Sequence, residues 1–367
     1  MKSDVRCPLS VVRCPLSDVP QLATDHFFIP MTRQDWINHL DTKFPRFPLA
    51  TLPTPLEFAP NLSERLGGPR IYFKRDDMTG LALGGDKPRK LEYLLADALG
   101  QGADTVVTGG SSQSNHVRLT AAACRKAGLD PVALCTVDER SQNTGNLLIS
   151  RLLGAEIHFK EVADNDHWLL APLMEEECER LREQGRKPYL VPLSGTTTLA
   201  CLGYFRCALE LDQQFEEAGI SPTALYVTSG TGGNLAALSL GIALIERPIR
   251  MVGINVNRTG PEAVEMAQQW LRDTAALLGT EPAGGFEMDG GFVGEGYGIM
   301  TDACREAIEL VARTEGLLLD PVYTGKTAAG LIAHIRDGRL TPDDTVVFVH
   351  TGGVPALFAY ADELVSY

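Results

Sequence analysis

Several common site signatures are missing from this chain. None of its eight cysteines forms a CxxC pair, and its seven histidines include no HExxH or other paired spacing. A zinc ribbon, a dithiol redox motif and a recognisable metal-ligand motif are therefore not expected. No run of about eighteen apolar residues occurs, so no membrane-spanning helix is expected. Basic residues are in the minority, 33 Lys and Arg against 47 Asp and Glu, for a formal net charge of −14. That balance argues against nucleic acid or an anionic membrane as partner. It leaves room for a local basic site that takes a small anion. No GxGxxG with a distal acidic residue appears, which disfavours a nicotinamide dehydrogenase. The Gly-Lys-Ser/Thr ending of a nucleotide-binding loop is missing as well.

What is present reads as an ordinary globular chain of 367 residues, 44% hydrophobic and 22% charged, long enough for two domains or one large one. Most cysteines lie in apolar runs and read as buried free thiols in a reducing compartment, so a cytoplasmic location is expected. Near the start, Val5-Arg6-Cys7-Pro8-Leu9-Ser10 recurs as Val12-Arg13-Cys14-Pro15-Leu16-Ser17. A proline in each copy excludes a heptad helix, and the apolar stretch of a secretory signal is missing. Residues 1–30 read as a poorly ordered extension, with Met31 as a candidate natural start.

From residue 71 onward, short apolar β-branched runs alternate with helical periodicity. Strands are expected at 71–74, 105–108, 131–134, 155–159, 189–191, 224–227, 251–256 and 345–349. Helices are expected at 87–99, 115–127, 143–153, 167–184, 197–218, 235–245, 263–278, 301–314 and 326–336. Strands apolar throughout imply parallel sheets covered on both faces. Ligands in such folds sit at the carboxyl ends of strands, where glycine turns lead into helices.

The stretch Leu83-Gly84-Gly85-Asp86-Lys87-Pro88-Arg89-Lys90 delivers Lys87 to a helix start, with Lys90 on nearly the same face. A lysine beside other cations loses its proton more readily and becomes a nucleophilic amine. Three further stretches follow a strand. Thr108-Gly109-Gly110-Ser111-Ser112-Gln113-Ser114-Asn115-His116 opens a helix with more hydroxyls and amides than capping needs, and suits a carboxylate. Ser229-Gly230-Thr231-Gly232-Gly233 lets backbone N–H groups converge on a monophosphate. His350-Thr351-Gly352-Gly353 ends the last strand. Tyr297 and Tyr323 sit in glycine- and proline-rich loops, as packing anchors or, if cations lower their pKa, as acid or base. A lysine nucleophile, a monophosphate cradle and a carboxylate-binding loop are together what pyridoxal phosphate chemistry on an amino acid requires.

These motifs, with Lys74-Arg75-Asp76-Asp77, Gly80-Leu81, Val117-Arg118 and the run Asp320 to Lys326, make the chain resemble the pyridoxal-phosphate enzymes grouped as D-cysteine desulfhydrases and 1-aminocyclopropane-1-carboxylate (ACC) deaminases. The likeness runs unbroken over about residues 45–365. It implies an α/β fold of the tryptophan-synthase-β-like type (fold type II): two three-layer αβα domains with parallel-rich sheets. The large cofactor domain would comprise residues 31–88 and 206–367, and the small domain 89–205. By the same resemblance Lys87 would be joined to the cofactor through C=N, and Asn115 would bond the ring hydroxyl. Ser229, Gly230, Thr231, Gly232 and Gly233, with Lys90, would hold the phosphate, and Thr351 would face the ring nitrogen. Ser114, Asn115 and His116 would take the substrate carboxylate. Tyr297 and Tyr323 would stand over the reacting carbon, so that Lys87, Ser114, Tyr297 and Tyr323 carry the catalysis.

Within that family, ACC deaminases have glutamine at His116 and, at Thr324, a glutamate that meets the ring nitrogen. His116 and Thr324, with Thr351, favour β-elimination of D-cysteine to pyruvate, ammonia and hydrogen sulfide. ACC deamination is the runner-up, with cysteate or 3-chloroalanine as other substrates. Asp86 stands where the family usually has asparagine, which keeps open a non-catalytic ligand-binding homologue. A homodimer is expected by family analogy, with a small amino acid as the partner in solution.

Overall fold

The computed structural model describes residues 31–163 and 166–364. The doubled hexapeptide and the expected extension over residues 1–30 lie outside the described residues. Among the described residues ten strands are present: β1 (Leu56–Phe58), β2 (Arg70–Lys74), β3 (Thr105–Gly110), β4 (Asp130–Thr136), β5 (Glu156–Lys160), β6 (Pro188–Leu190), β7 (Ala224–Ser229), β8 (Arg250–Asn255), β9 (Glu287–Asp289) and β10 (Thr345–Val349).

They form a six-stranded sheet in the order β1-β2-β10-β7-β8-β9 and a four-stranded sheet in the order β5-β4-β3-β6. Every pairing is parallel except β1 with β2, which is antiparallel at the edge. That edge strand and the short β9 were not foreseen from sequence, nor were the helices Arg33–Lys43 and Pro60–Leu66. Three-residue strands with exposed positions carry too little apolar signal to be read.

Alternation along the strands explains how both sheet faces are covered. Leu225, Val227, Val347 and Val349 pack into one core with the helices Thr198–Ala218 and Gly233–Leu244. Ala224, Tyr226, Val346 and Phe348 pack into another, with Asp302–Glu315 and Thr324–Arg336. In the smaller sheet Val106 meets Leu91, Leu94 and Leu95 of helix Lys87–Gly100, whereas Val107 meets Leu170 and Met174 of helix Leu170–Glu183. At about 25 cal/mol per Å² of apolar surface, cores of this extent supply the main term holding the layers together. Helix Thr198–Ala218 runs unbroken through residue 205, the position expected for a domain boundary.

Two adjacent strands of the larger sheet, β7 and β10, end in the glycine turns at 230–233 and 351–353. The carboxyl end of β2 leads through Asp76 to Lys87, and β3 of the smaller sheet ends at Gly110. Four motif-bearing loops thus leave from strand carboxyl ends, as the doubly wound rule requires.

Candidate active site

A cavity at these strand ends is lined by Lys87, Lys90, Ser114, Asn115, His116, Gly230, Thr231, Gly232, Gly233, Tyr297, Tyr323 and Thr351. Of the residues expected to bind cofactor or substrate or to carry the catalysis, Ser229 alone is off the wall. It is 1% exposed at the end of β7, and its Oγ has no hydrogen-bond partner among the described residues.

Lys87 is the first residue of its helix, followed by Pro88 in the first turn, where the missing N–H costs nothing. Arg89, two residues on, is 1% exposed and does not reach the cavity. Its guanidinium forks onto Asp76 at 2.8 and 2.9 Å and bonds Glu210 at 2.9 and 3.0 Å. Lys74 pairs with Glu210, and Tyr204 donates to Asp76 at 2.9 Å. Burial by itself would raise the Asp76 carboxyl, but Arg89 outweighs it and holds the group below its ordinary value. This buried network pins the start of the Lys87 helix to β2 and to helix Thr198–Ala218. Removing one member of such a network strands a buried charge.

Asp86, Lys87 and Lys90 gather the charge of the cavity. Lys87 Nζ donates to both Asp86 oxygens at 2.7 and 2.8 Å. Lys90 Nζ donates to Thr196 Oγ1 at 3.1 Å, and that hydroxyl meets Thr231 at 2.8 Å. Burial, with the nearby Lys87 ammonium, pushes Lys90 down to about 8.

The turn after β7 has the build of an anion cradle. Gly232 has φ +82°, and a Cβ there would stand 2.5 Å from Ala267 Cβ; a Cβ on Gly233 would stand 2.6 Å from Thr196 Cγ2. Gly233 starts a twelve-residue helix whose first N–H groups are free for a ligand. Asn234 Oδ1 is buried without a partner. These features, with Lys90, fit a phosphate monoester.

Across the cavity Ser114 caps helix Asn115–Ala127, accepting from Val117 N at 3.3 Å. Asn115 Oδ1 accepts from Asn146 at 2.9 Å, which leaves its Nδ2 for the cavity. His116 is differently placed from the expectation. Its Nε2 is 2.8 Å from Thr108 Oγ1 and its Nδ1 3.5 Å from Thr120 Oγ1. Burial, with Lys87 and Lys90 adding, pushes it down to about 3. It is a neutral wall residue with its nitrogens turned to neighbours.

The phenolic oxygens of Tyr297 and Tyr323 are 2.5 Å apart. Burial raises both hydroxyls above their ordinary value. The lowering that a tyrosine base would need is not found, so both act as proton-bearing groups. Lys326, fully buried, donates to the carbonyls of Val293 at 2.6 Å and Gly296 at 2.9 Å. One ammonium thus ties the helix that follows Tyr323 to the loop bearing Tyr297. Thr324 departs from expectation. Its Oγ1 donates to Asp320 at 2.8 Å and accepts from the Asp320 N–H, capping the turn, and it is not on the cavity wall. Thr351 is.

Ser194, Thr196 and His167 reach the site without having been singled out from sequence. Ser194-Gly195-Thr196 follows β6 and precedes a helix, the same strand–glycine–hydroxyl signal that marked the other loops. His167 carried no such signal.

Residues 48–352 match the family described as pyridoxal-phosphate dependent enzyme, and the chain belongs to that family. Its cofactor is pyridoxal phosphate, which the lysine, the glycine cradle and the unpartnered polar atoms fit. The chain is 42% identical over 332 residues to D-cysteine desulfhydrase of Salmonella newport (strain SL254), covering 88% of this chain and 98% of that protein. The Salmonella typhi D-cysteine desulfhydrase matches to the same extent, 42% over 332 residues. The crystal structure of an ACC deaminase homologue superposes with a TM-score of 0.83 at 38% identity, covering 89% of this chain and 97% of that one. The diaminopropionate ammonia lyase of Escherichia coli, at 18% identity and TM-score 0.63 over 93% of this chain and 95% of that one, shares the fold. The fold is thus the α/β fold type II expected from the motifs.

Proposed function

We propose that this chain catalyses β-elimination on a small amino acid, D-cysteine first, releasing pyruvate, ammonia and hydrogen sulfide. One observation carries the reading: the Lys87 amine, the Gly230–Gly233 turn with Lys90, and the Ser114–Asn115 helix start line a single cavity. The desulfhydrase relatives support the substrate.

When bound, pyridoxal phosphate supplies an electron sink for the pair left at Cα. Lys90 Nζ and the amides of the glycine turn would hold the phosphate. Asn115 Nδ2 would bond the ring hydroxyl, and Thr351 would serve the ring nitrogen. Lys87 would tether the cofactor through Nζ, and its free amine would take the α-proton at that atom. Ser114 and Asn115 fix the carboxylate so that the Cα–H bond points at Lys87, a positioning effect worth several kcal/mol. His116 backs this wall through Thr108. Tyr297 and Tyr323 would stand over the reacting carbon with an O–H for the leaving group.

In this reading residues 31–88 and 206–367 carry the cofactor and residues 89–205 form the smaller part, joined by helix Thr198–Ala218. A cytoplasmic homodimer completes the proposal. The six cysteines that are free and buried among the described residues suit a reducing compartment, and monomer-sized elution would remove the dimer. No helix among the described residues is long and apolar enough to cross a membrane.

The second reading is ACC deamination, favoured by the structural likeness to the ACC deaminase homologue. Purified protein offered D-cysteine, L-cysteine, D-3-chloroalanine, cysteate and ACC, with released keto acid measured, separates the two. Pyruvate from D-cysteine is expected. 2-Oxobutyrate from ACC alone would install the second reading, and no keto acid from any substrate would leave a ligand-binding homologue. Lys87→Ala should also lose the absorbance near the visible edge; a retained band would refute the lysine assignment.

A further inference from the structure

The helical pattern of the sequence runs without a break from residue 167. The structure instead winds His167–Leu169 as a 3₁₀ turn ahead of helix Leu170–Glu183, with Asp166 accepting from Trp168 N at 3.0 Å. The tighter turn sends two successive rings to different places. Trp168 lies under the Arg258 guanidinium, 4.8 Å from the ring centroid. His167 enters the cavity wall and stacks on Tyr297, with ring centroids 4.9 Å apart and planes 39° from parallel.

Four histidines are buried among the described residues. Three of them have hydrogen-bond partners. His116 meets Thr108, His334 meets Tyr226 and Asp289, and His350 meets Leu318 O and the Gly352 N–H. His167, 9% exposed, has ring contacts with Trp168 and Tyr297 but no hydrogen-bond partner among the described residues. Burial, with Arg258 adding and Asp166 opposing, pushes it down to about 4. At neutral pH it presents one N–H donor and one lone pair. Its ring nitrogens are not among the fully buried unpartnered atoms, so they are open to the cavity and can take a partner there.

In the β-elimination reading the main polar groups of the cavity already have places. Lys90 and the glycine turn lie at the phosphate end, Ser114 and Asn115 at the carboxylate and ring, and the two tyrosine hydroxyls on each other. His167 stands against Tyr297, the tyrosine that in that reading would face the reacting carbon and its substituent. We propose that His167 is a specificity-determining residue that hydrogen-bonds the substrate's β-substituent when that substituent bears its own hydrogen, as a thiol does, and gives no such bond to one that does not, such as chloride. This rests on the β-elimination reading above.

The test uses the holoenzyme and compares kcat/KM for D-cysteine with kcat/KM for D-3-chloroalanine. His167→Phe keeps a ring against Tyr297 and removes both nitrogens. The ratio of D-cysteine to D-3-chloroalanine should fall about tenfold, the worth of one hydrogen bond. His167→Asn, which places a polar atom near the same spot, should restore part of it. The visible cofactor band reports that each variant is loaded, and if the Phe variant does not load, His167→Leu is read in the same way. An unchanged ratio in the loaded Phe or Leu variant overturns the proposal while leaving β-elimination intact. A parent protein that releases no pyruvate from D-cysteine sinks the β-elimination reading, and this proposal with it.

Discussion

Both carboxylate oxygens of Asp86 hydrogen-bond the Lys87 ammonium, at 2.7 and 2.8 Å, and Asn234 Nδ2 donates to the same carboxylate at 3.0 Å. The residue before the lysine is therefore linked at once to the amine and to the helix that opens from the glycine turn. Burial alone would raise the Asp86 carboxyl, but the Lys87 and Lys90 ammoniums outweigh it and keep it ionised. An anion here opposes an arriving phosphate. Asp86→Asn should bind pyridoxal phosphate about tenfold more tightly, or ~1.4 kcal/mol. Asn234 Oδ1, now without a partner, can accept from the new amide after its side chain turns over. Titrating cofactor-stripped protein and following the visible band checks this. Weaker binding would mean that the carboxylate serves instead to hold Lys87 in place.

Tyr323→Phe should lower kcat by about a hundredfold, the low end for a proton-transfer group, with a smaller change in cofactor affinity. The hydroxyl lost is the one 2.5 Å from Tyr297, while the ring and the Asp320 turn behind it stay. Steady-state kinetics beside a cofactor titration give the comparison. A variant that sheds cofactor yet keeps its rate per loaded site would contradict the role.

Gly232→Ala should be damaging and Gly230→Ala mild for the fold. At Gly232 the left-handed φ of +82° and a Cβ 2.5 Å from Ala267 Cβ and 2.9 Å from its Cα leave no room. The left-handed backbone alone costs about 1–2 kcal/mol for an L-residue. At Gly230 the nearest atom to a new Cβ is Asn257 Nδ2 at 4.0 Å. Thermal melts should separate the two variants, and cofactor affinity should fall in the Gly232 variant. Full affinity there would argue against the turn as the phosphate cradle.

His116 sets a pH dependence of stability. Its ordinary value is 6.5, and burial pushes it in the folded chain to about 3. Between those values the unfolded chain binds the proton first. Stability is therefore complete above about pH 6.5 and falls as the pH drops toward 3, by up to about 1.4 kcal/mol per unit. His116→Gln, whose amide can still donate to Thr108 Oγ1, should flatten the profile between about pH 6 and 4. Denaturant melts across that range read the slope, and parallel profiles in parent and variant would show that His116 already carries its proton in the fold.

Much of the architecture was legible because long, strongly periodic segments announce themselves. Helix Asn115–Ala127 and strand Thr345–Val349 fall where periodicity placed them. The long segment from His167 was misread at its start, because a 3₁₀ turn and an α-helix share nearly the same apolar spacing over three residues. The short antiparallel edge strand Leu56–Phe58 was invisible for want of any pattern.

The sequence by itself determined the chemistry available: a lysine at a helix start, a run of glycines with no Cβ to block an anion, hydroxyls and amides at a second helix start. Residue types and their spacing carry that information because local backbone geometry follows from them. Only the tertiary structure decided where each group points. It turned Arg89 into a buried anchor, gave the Thr324 hydroxyl to Asp320 and kept Thr351 on the wall, set His116 against Thr108, and brought His167 to Tyr297 from 130 positions away in the chain. Orientation depends on which strands become neighbours and which polar groups burial forces to find partners, and neither is written in any single stretch of residues.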